Sequence, residues 1–135
     1  MKYRLINKID EIKGKLIIQY QFGGIIMEIT ITNDAIEEIN KLNPDNQYHL
    51  LLWYDTAGCG CGVSGLPMVQ LTDERDITYK EITSNYPQIF IDEEQAIFFA
   101  NDMKLDFTNG MFRLSSPEEI LNPFISLQRF SERIS

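Results

Sequence analysis

From residue 27 to residue 115 the chain is cut into short strand-like runs, most of them bounded by glycine, proline, asparagine or aspartate. Glu28-Ile29-Thr30-Ile31-Thr32 alternates polar and apolar residues, the pattern of a half-buried strand. Tyr48-His49-Leu50-Leu51-Leu52-Trp53-Tyr54 is mostly apolar and reads as the centre of a sheet. Further β-rich runs fall at 66–71, 77–82, 89–92, 103–107 and 111–114, with the hairpin signal Asn109-Gly110 between the last two. Helical spacing is confined to small pieces. Ala35, Ile36, Ile39 and Leu42 follow two N-cap candidates, Thr32 and Asp34, and Asp34 with Glu37 fits a capping box. Asn43-Pro44-Asp45-Asn46 stops that helix. Glu93-Glu94-Gln95-Ala96 reads as a brief helical turn. Ser116-Pro117-Glu118-Glu119 combines an N-cap, a first-turn proline and a capping-box glutamate, so a short helix is predicted there, ended by Asn122-Pro123. The expected class is mainly β (α+β): a small sandwich or barrel-like sheet with two or three short flanking helices, not a βαβ fold.

Size and charge narrow the function classes. With 135 residues the chain is about one domain long, and it buries roughly two-thirds of its unfolded surface, enough for a core without disulfides. Twenty acidic against twelve basic residues give a net charge of −8. That balance argues against nucleic acid, whose phosphates are neutralised by Lys and Arg, and against an anionic membrane surface. No run approaches the roughly 18–20 apolar residues of a membrane span. Gln19 and Gln21 interrupt the apolar run 16–22, and no small-residue cleavage pattern follows it. The chain therefore reads as cytoplasmic, where two cysteines are thiols or ligands sooner than a bridge.

The charge is unevenly spread. Residues 1–26 hold five basic and two acidic groups, and residues 27–135 hold seven and eighteen. The expected organisation is an N-terminal extension at 1–26, a domain at 27–127 and a C-terminal tail at 128–135. Gly23-Gly24-Ile25-Ile26-Met27 is what a ribosome-binding sequence, a spacer and a start codon would encode. Residues 1–26 are then either an over-annotated leader or an added strand or hairpin, since 15–20 is β-prone; both readings stay open.

The concentrated chemical signal is Asp55-Thr56-Ala57-Gly58-Cys59-Gly60-Cys61-Gly62-Val63-Ser64-Gly65, with four glycines among eleven residues. One intervening glycine lets the Cys59 and Cys61 thiolates converge on a single metal or cluster. Gly58, Gly60 and Gly62 free backbone N–H groups to point at an anionic centre, as in nest-like sites that hold Fe–S clusters. Thiolates suit Fe–S, zinc or copper(I). The count is the difficulty: a closed site takes about four ligands and one chain offers two thiols. Two cysteines from each of two subunits would complete the set across a two-fold axis. Failing that, His49 and Asp55 are the nearest other donors in sequence, with His49 at the far end of its strand and read as packed or exposed. Three readings remain on the residues alone: a metal or cluster site, a redox dithiol pair, or an inert glycine-rich turn.

Other residues take plainer roles. Met103, Phe107, Phe112 and Leu114 sit at strand spacing and read as core. Asp102 with Asp106, and Glu93 with Glu94, read as solvated acidic surface. Ser64 lacks a recognisable triad, and the glycine loop lacks the Lys-Ser/Thr tail of a phosphate loop. Phe124, Ile125, Leu127 and Phe130 either close the core or form a subunit interface.

The run 54–65 resembles the signature loop of the HesB/IscA-like iron–sulfur biogenesis family, and is similar to a Gram-positive branch with a Gly-Cys-Gly-Cys loop. The order of elements from Met27 to Leu127 resembles it too: the Ile-Thr-Ile-Thr strand and helix, the loop, Leu71-Thr72-Asp73-Glu74, Met103-Lys104-Leu105-Asp106-Phe107 and Phe112-Arg113-Leu114-Ser115-Ser116-Pro117. The resemblance implies a small β-rich sandwich and a non-enzymatic carrier of iron or an Fe–S cluster. It further implies Cys59 and Cys61 as ligands, a dimer, and assembly machinery or apo-protein clients as partners. One departure is plain. Typical carriers complete the site with a C-terminal Cys-Gly-Cys, and residues 118–125 here contain no cysteine. Either Cys61 substitutes locally for a distal ligand, or this branch has given up the carrier role for metal-free protein binding.

Overall fold

The computed structural model describes residues 3–6, 19–22, 27–56 and 65–133. Strands β1 (Tyr3–Ile6) and β2 (Gln19–Phe22) pair antiparallel, Tyr3 opposite Phe22, as a two-stranded sheet of their own. The remaining strands build two larger sheets. One holds β3 (Glu28–Ile31), β7 (Thr83–Ser84), β9 (Asp102–Thr108), β10 (Met111–Ser115) and β11 (Ile120–Ser126) in the order β11-β10-β9-β3-β7. The other holds β4 (His49–Asp55), β5 (Leu66–Thr72), β6 (Tyr79–Glu81) and β8 (Ile89–Asp92) in the order β5-β4-β8-β6. Strand β4 is thus interior, as its apolar run predicts. Both sheets are mixed: β3 runs parallel to β7 and β9, and β4 parallel to β8.

Alternation decides which faces meet. Glu28 and Thr30 are exposed while Ile29 and Ile31 are buried. Ile29, Ile31, Met103, Leu105, Phe112, Leu114 and Ile125 of the first sheet share one core with Leu50, Leu52, Val69, Leu71, Ile89 and Ile91 of the second. Phe107 packs partly buried against it. At roughly 1.5–3 kcal/mol per fully buried large apolar side chain, this shared core is the main stabilising term. The β9–β10 turn is the one the sequence predicts: Asn109 and Gly110 take φ of 54° and 78°, the left-handed pair of a type I′ turn.

Among the described residues three short helices flank the sheets, one of them a 3-10 helix at Glu93–Phe98 capped by Asp92. Helix α1 (Asn33–Leu42) is capped by Thr32, whose hydroxyl accepts from the Ala35 N–H at 3.2 Å and donates to Asp106 at 2.8 Å. Asp106 is therefore a half-buried partner of the cap and not merely a solvated surface acid. Helix α2 (Leu127–Ser131) follows β11 directly and buries Phe130, which stacks on Phe112 at 4.0 Å between ring centroids.

The helix expected at Ser116-Pro117-Glu118-Glu119 is absent, which corrects the sequence reading. Ser116 instead closes a turn on itself. Its N–H donates to the Glu119 carbonyl at 2.8 Å, and its hydroxyl accepts from the Glu119 N–H at 3.2 Å. The chain then enters β11, an edge strand. Pro123 falls where the pairing with β10 shifts register, so its missing N–H costs little. The next N–H, of Phe124, donates to the Asn122 side chain at 3.2 Å.

Root of the cysteine and glycine loop as candidate functional site

Strands β4 and β5 pair in unbroken register from His49 opposite Thr72 to Asp55 opposite Leu66. Residues 56–65 are therefore the connection that closes this hairpin. Gly58, Cys59, Gly60, Cys61 and Gly62 all fall within 57–64, outside the described residues. What the structure does describe is the root from which that connection leaves and to which it returns.

The root is held from several sides. Asp55 ends β4 with its side chain only 9% exposed, paired with the Arg129 guanidinium of α2. Arg129 also donates from Nε to Glu132 at 2.8 Å. Its hydrogen bond to Asp55 holds the guanidinium pKa above its ordinary value, against the opposing effect of partial burial. On the same strand Trp53 donates from Nε1 to Gln70 at 2.8 Å, and Gln70 donates in turn to the Arg129 backbone carbonyl at 2.6 Å. The Arg133 guanidinium sits over the Trp53 ring, 4.1 Å from its centroid, and donates to Glu74 at 2.8 Å.

Tyr54 points the other way and stacks on Phe98 of the 3-10 helix at 3.7 Å. Its backbone N–H donates to the Gln95 amide oxygen at 2.8 Å. Strand β11 reaches the returning limb: the buried Asn122 donates to the Pro67 carbonyl at 2.7 Å. The stretch 118–125 thus touches this end of the hairpin through Asn122. On the returning limb Gly65 packs against Asp55 so closely that only a glycine fits without a shift.

His49 and Asp55 lie apart, each with its own neighbours. His49 begins β4, six residues from Asp55, which at about 3.3 Å per residue is roughly 20 Å from the root. It is 3% exposed and meets Phe90 edge-on at 5.0 Å. Burial first, and then the nearby Arg75, hold its pKa below the usual imidazole value. Asp55 is engaged with Arg129. Among the described residues no three His, Cys, Asp or Glu side chains gather into a group that could hold a metal ion. Among them, too, no helix is long and apolar enough to cross a membrane.

Sequence reasoning finds the loop but misses the residues that brace it: Gln70, Gln95, Asn122 and Arg129. Arg129 and Asp55 are 74 positions apart, and no local pattern ties them.

Residues 27–129 match the model of the family described as iron–sulphur cluster biosynthesis. The uncharacterized protein YqkB of Bacillus subtilis (strain 168) is 31% identical over 106 residues, spanning 75% of this chain and 97% of YqkB. Two crystal structures share the fold. A proposed Fe–S biosynthesis protein from Lactobacillus acidophilus superposes with a TM-score of 0.57 at 22% identity, covering 74% of this chain and 87% of that one. A second, from Lactobacillus salivarius, gives 0.56 at 24% identity over 78% of this chain and 99% of that one.

Proposed function

The chain belongs to the iron–sulphur cluster biosynthesis family, and from that premise we propose that it is a non-enzymatic assembly accessory carrying iron or an Fe–S cluster as cargo on Cys59 and Cys61. The observation that supports this reading best is the braced hairpin root: Asp55 and Leu66 are paired, and Asp55 is tied to α2. A short connection on a fixed root holds its two thiols at modest entropic cost, the general requirement for a binding loop on a rigid scaffold. Gly58, Gly60 and Gly62 would let backbone N–H groups approach the anionic cargo.

Two thiols satisfy half of a four-ligand set, so the cargo would be held between two copies of the chain. Its partners would be the assembly machinery and apo-protein clients in the cytoplasm. With 20 acidic against 12 basic residues, clients with basic faces are favoured. The chain's total of two cysteines, both in one Cys-Gly-Cys, also supports a second reading, a redox-active dithiol.

Anaerobic reconstitution with ferrous iron and sulfide, followed by absorbance spectroscopy and iron analysis, separates the two. The carrier reading expects the wild type to take up iron and both Cys59→Ser and Cys61→Ser to lose most of it. Uptake that is nil in the wild type, or equal in wild type and the double serine variant, sinks it. A Cys59–Cys61 disulfide with a potential in the cytosolic range, in a protein that takes up no iron, favours the dithiol.

A further inference from the structure

We propose that Arg129 is a positioning residue for the cysteine loop: it fixes the root through Asp55 and so couples docking of α2 to occupancy of the loop. This rests on the reading that Cys59 and Cys61 hold iron or a cluster. A carboxylate as buried as that of Asp55 is costly without a charged partner, and the partner comes from the far end of the chain. The same helix makes two further attachments that keep Arg129 in place. Its Arg129 carbonyl accepts from Gln70, which holds the Trp53 indole, and its Phe130 ring stacks on Phe112 in the core. Displacing α2 therefore releases the end of β4 from which the loop departs.

A loop whose root is already fixed loses less freedom when two thiols converge on one ion, which is preorganisation. Linkage makes the effect reciprocal: an occupant that favours the closed root also favours docked α2. Residues 118–125 offer no thiol, and the helix that follows them supplies a guanidinium to the loop's root.

The test uses full-length wild type, Arg129→Ala, Arg129→Lys, and Arg113→Ala, which removes an exposed guanidinium from β10. Amide hydrogen exchange is followed on the apo proteins, and loss of iron to a chelator after ferrous loading. Arg129→Ala should speed exchange at 53–56 and 65–68 and speed iron loss by about fivefold or more, with Arg129→Lys between it and wild type. Arg113→Ala should change neither, and loading the wild type should slow exchange across 127–131. Wild-type behaviour of Arg129→Ala in both measurements overturns the proposal, as does an acceleration spread evenly over the core. A wild type that takes up no iron removes the carrier reading instead. The apo exchange pattern then decides alone: acceleration confined to the root supports positioning by Arg129, and its absence overturns it.

Discussion

Gly65 passes Asp55 so closely that a methyl group on its α-carbon would lie 2.5 Å from the Asp55 carbonyl oxygen and 2.8 Å from the Tyr54 ring. The first of these obstacles is backbone and cannot swing aside. Gly65→Ala should therefore cost about 1–3 kcal/mol, the usual range for overpacking. The measurement is the urea unfolding midpoint, with exchange at 53–56 showing the damage at the root. An unchanged midpoint would mean that the two limbs separate easily.

Phe130 is fully buried and stacked on Phe112. Its replacement by alanine should destabilise the fold by about 3–5 kcal/mol, as for other large aromatic truncations in cores. Chemical denaturation reads this directly. A loss under about 1 kcal/mol would show that α2 is an ornament on the core and not part of it.

His49 predicts a pH dependence. Burial and Arg75 disfavour its charged form, while the Glu74 backbone and the Asp73 and Glu74 charges favour it less strongly, so the folded-state pKa lies below the unfolded one. The unfolded chain then takes up the proton first as pH falls. Stability from this group is full above about pH 6.5 and declines as pH drops toward the folded pKa. The thermal midpoint should fall between pH 7.5 and pH 5.5, and His49→Gln should flatten that slope. An equal slope in the variant would assign the effect to the carboxylates.

Thr32 serves both as the α1 cap and as a donor to Asp106. Thr32→Ala should cost about 1 kcal/mol for the cap, with a further loss from the half-buried carboxylate it leaves without this donor. Thr32→Ser, which keeps the hydroxyl, should recover most of it. Equal losses in both variants would point to the methyl group and its packing.

The same residue shows how far local sequence carries. Thr32 and Asp34 are equally good caps by their neighbours, and Asp106, 74 positions away, selects between them. The strand at 49–55 was legible because a buried strand writes itself as a continuous apolar run, and the Asn109-Gly110 turn because few other residues accept its dihedrals. Ser116 misled because the side-chain bond that opens a helix also closes a turn, and local pattern cannot tell them apart. In the fold Asn122 is engaged as a side chain at Pro67, 55 residues distant, a contact no local pattern announces. At the candidate site the glycines and cysteines announced a connection between two strands. The groups bracing its root announced nothing, because charge pairing across folded distance leaves no periodicity.

Strand β11 carries Phe124 at 68% exposed and Ile120 at 51% on the rim of a sheet, a combination that would ordinarily template another chain. Two adjacent positions offer no free donor, however: Pro123 has none, and the Asn122 side chain accepts from that of Phe124. A strand laid along Pro123 and Phe124 would find no free main-chain N–H at either position, so a contact at the exposed Phe124 ring rests on side chains.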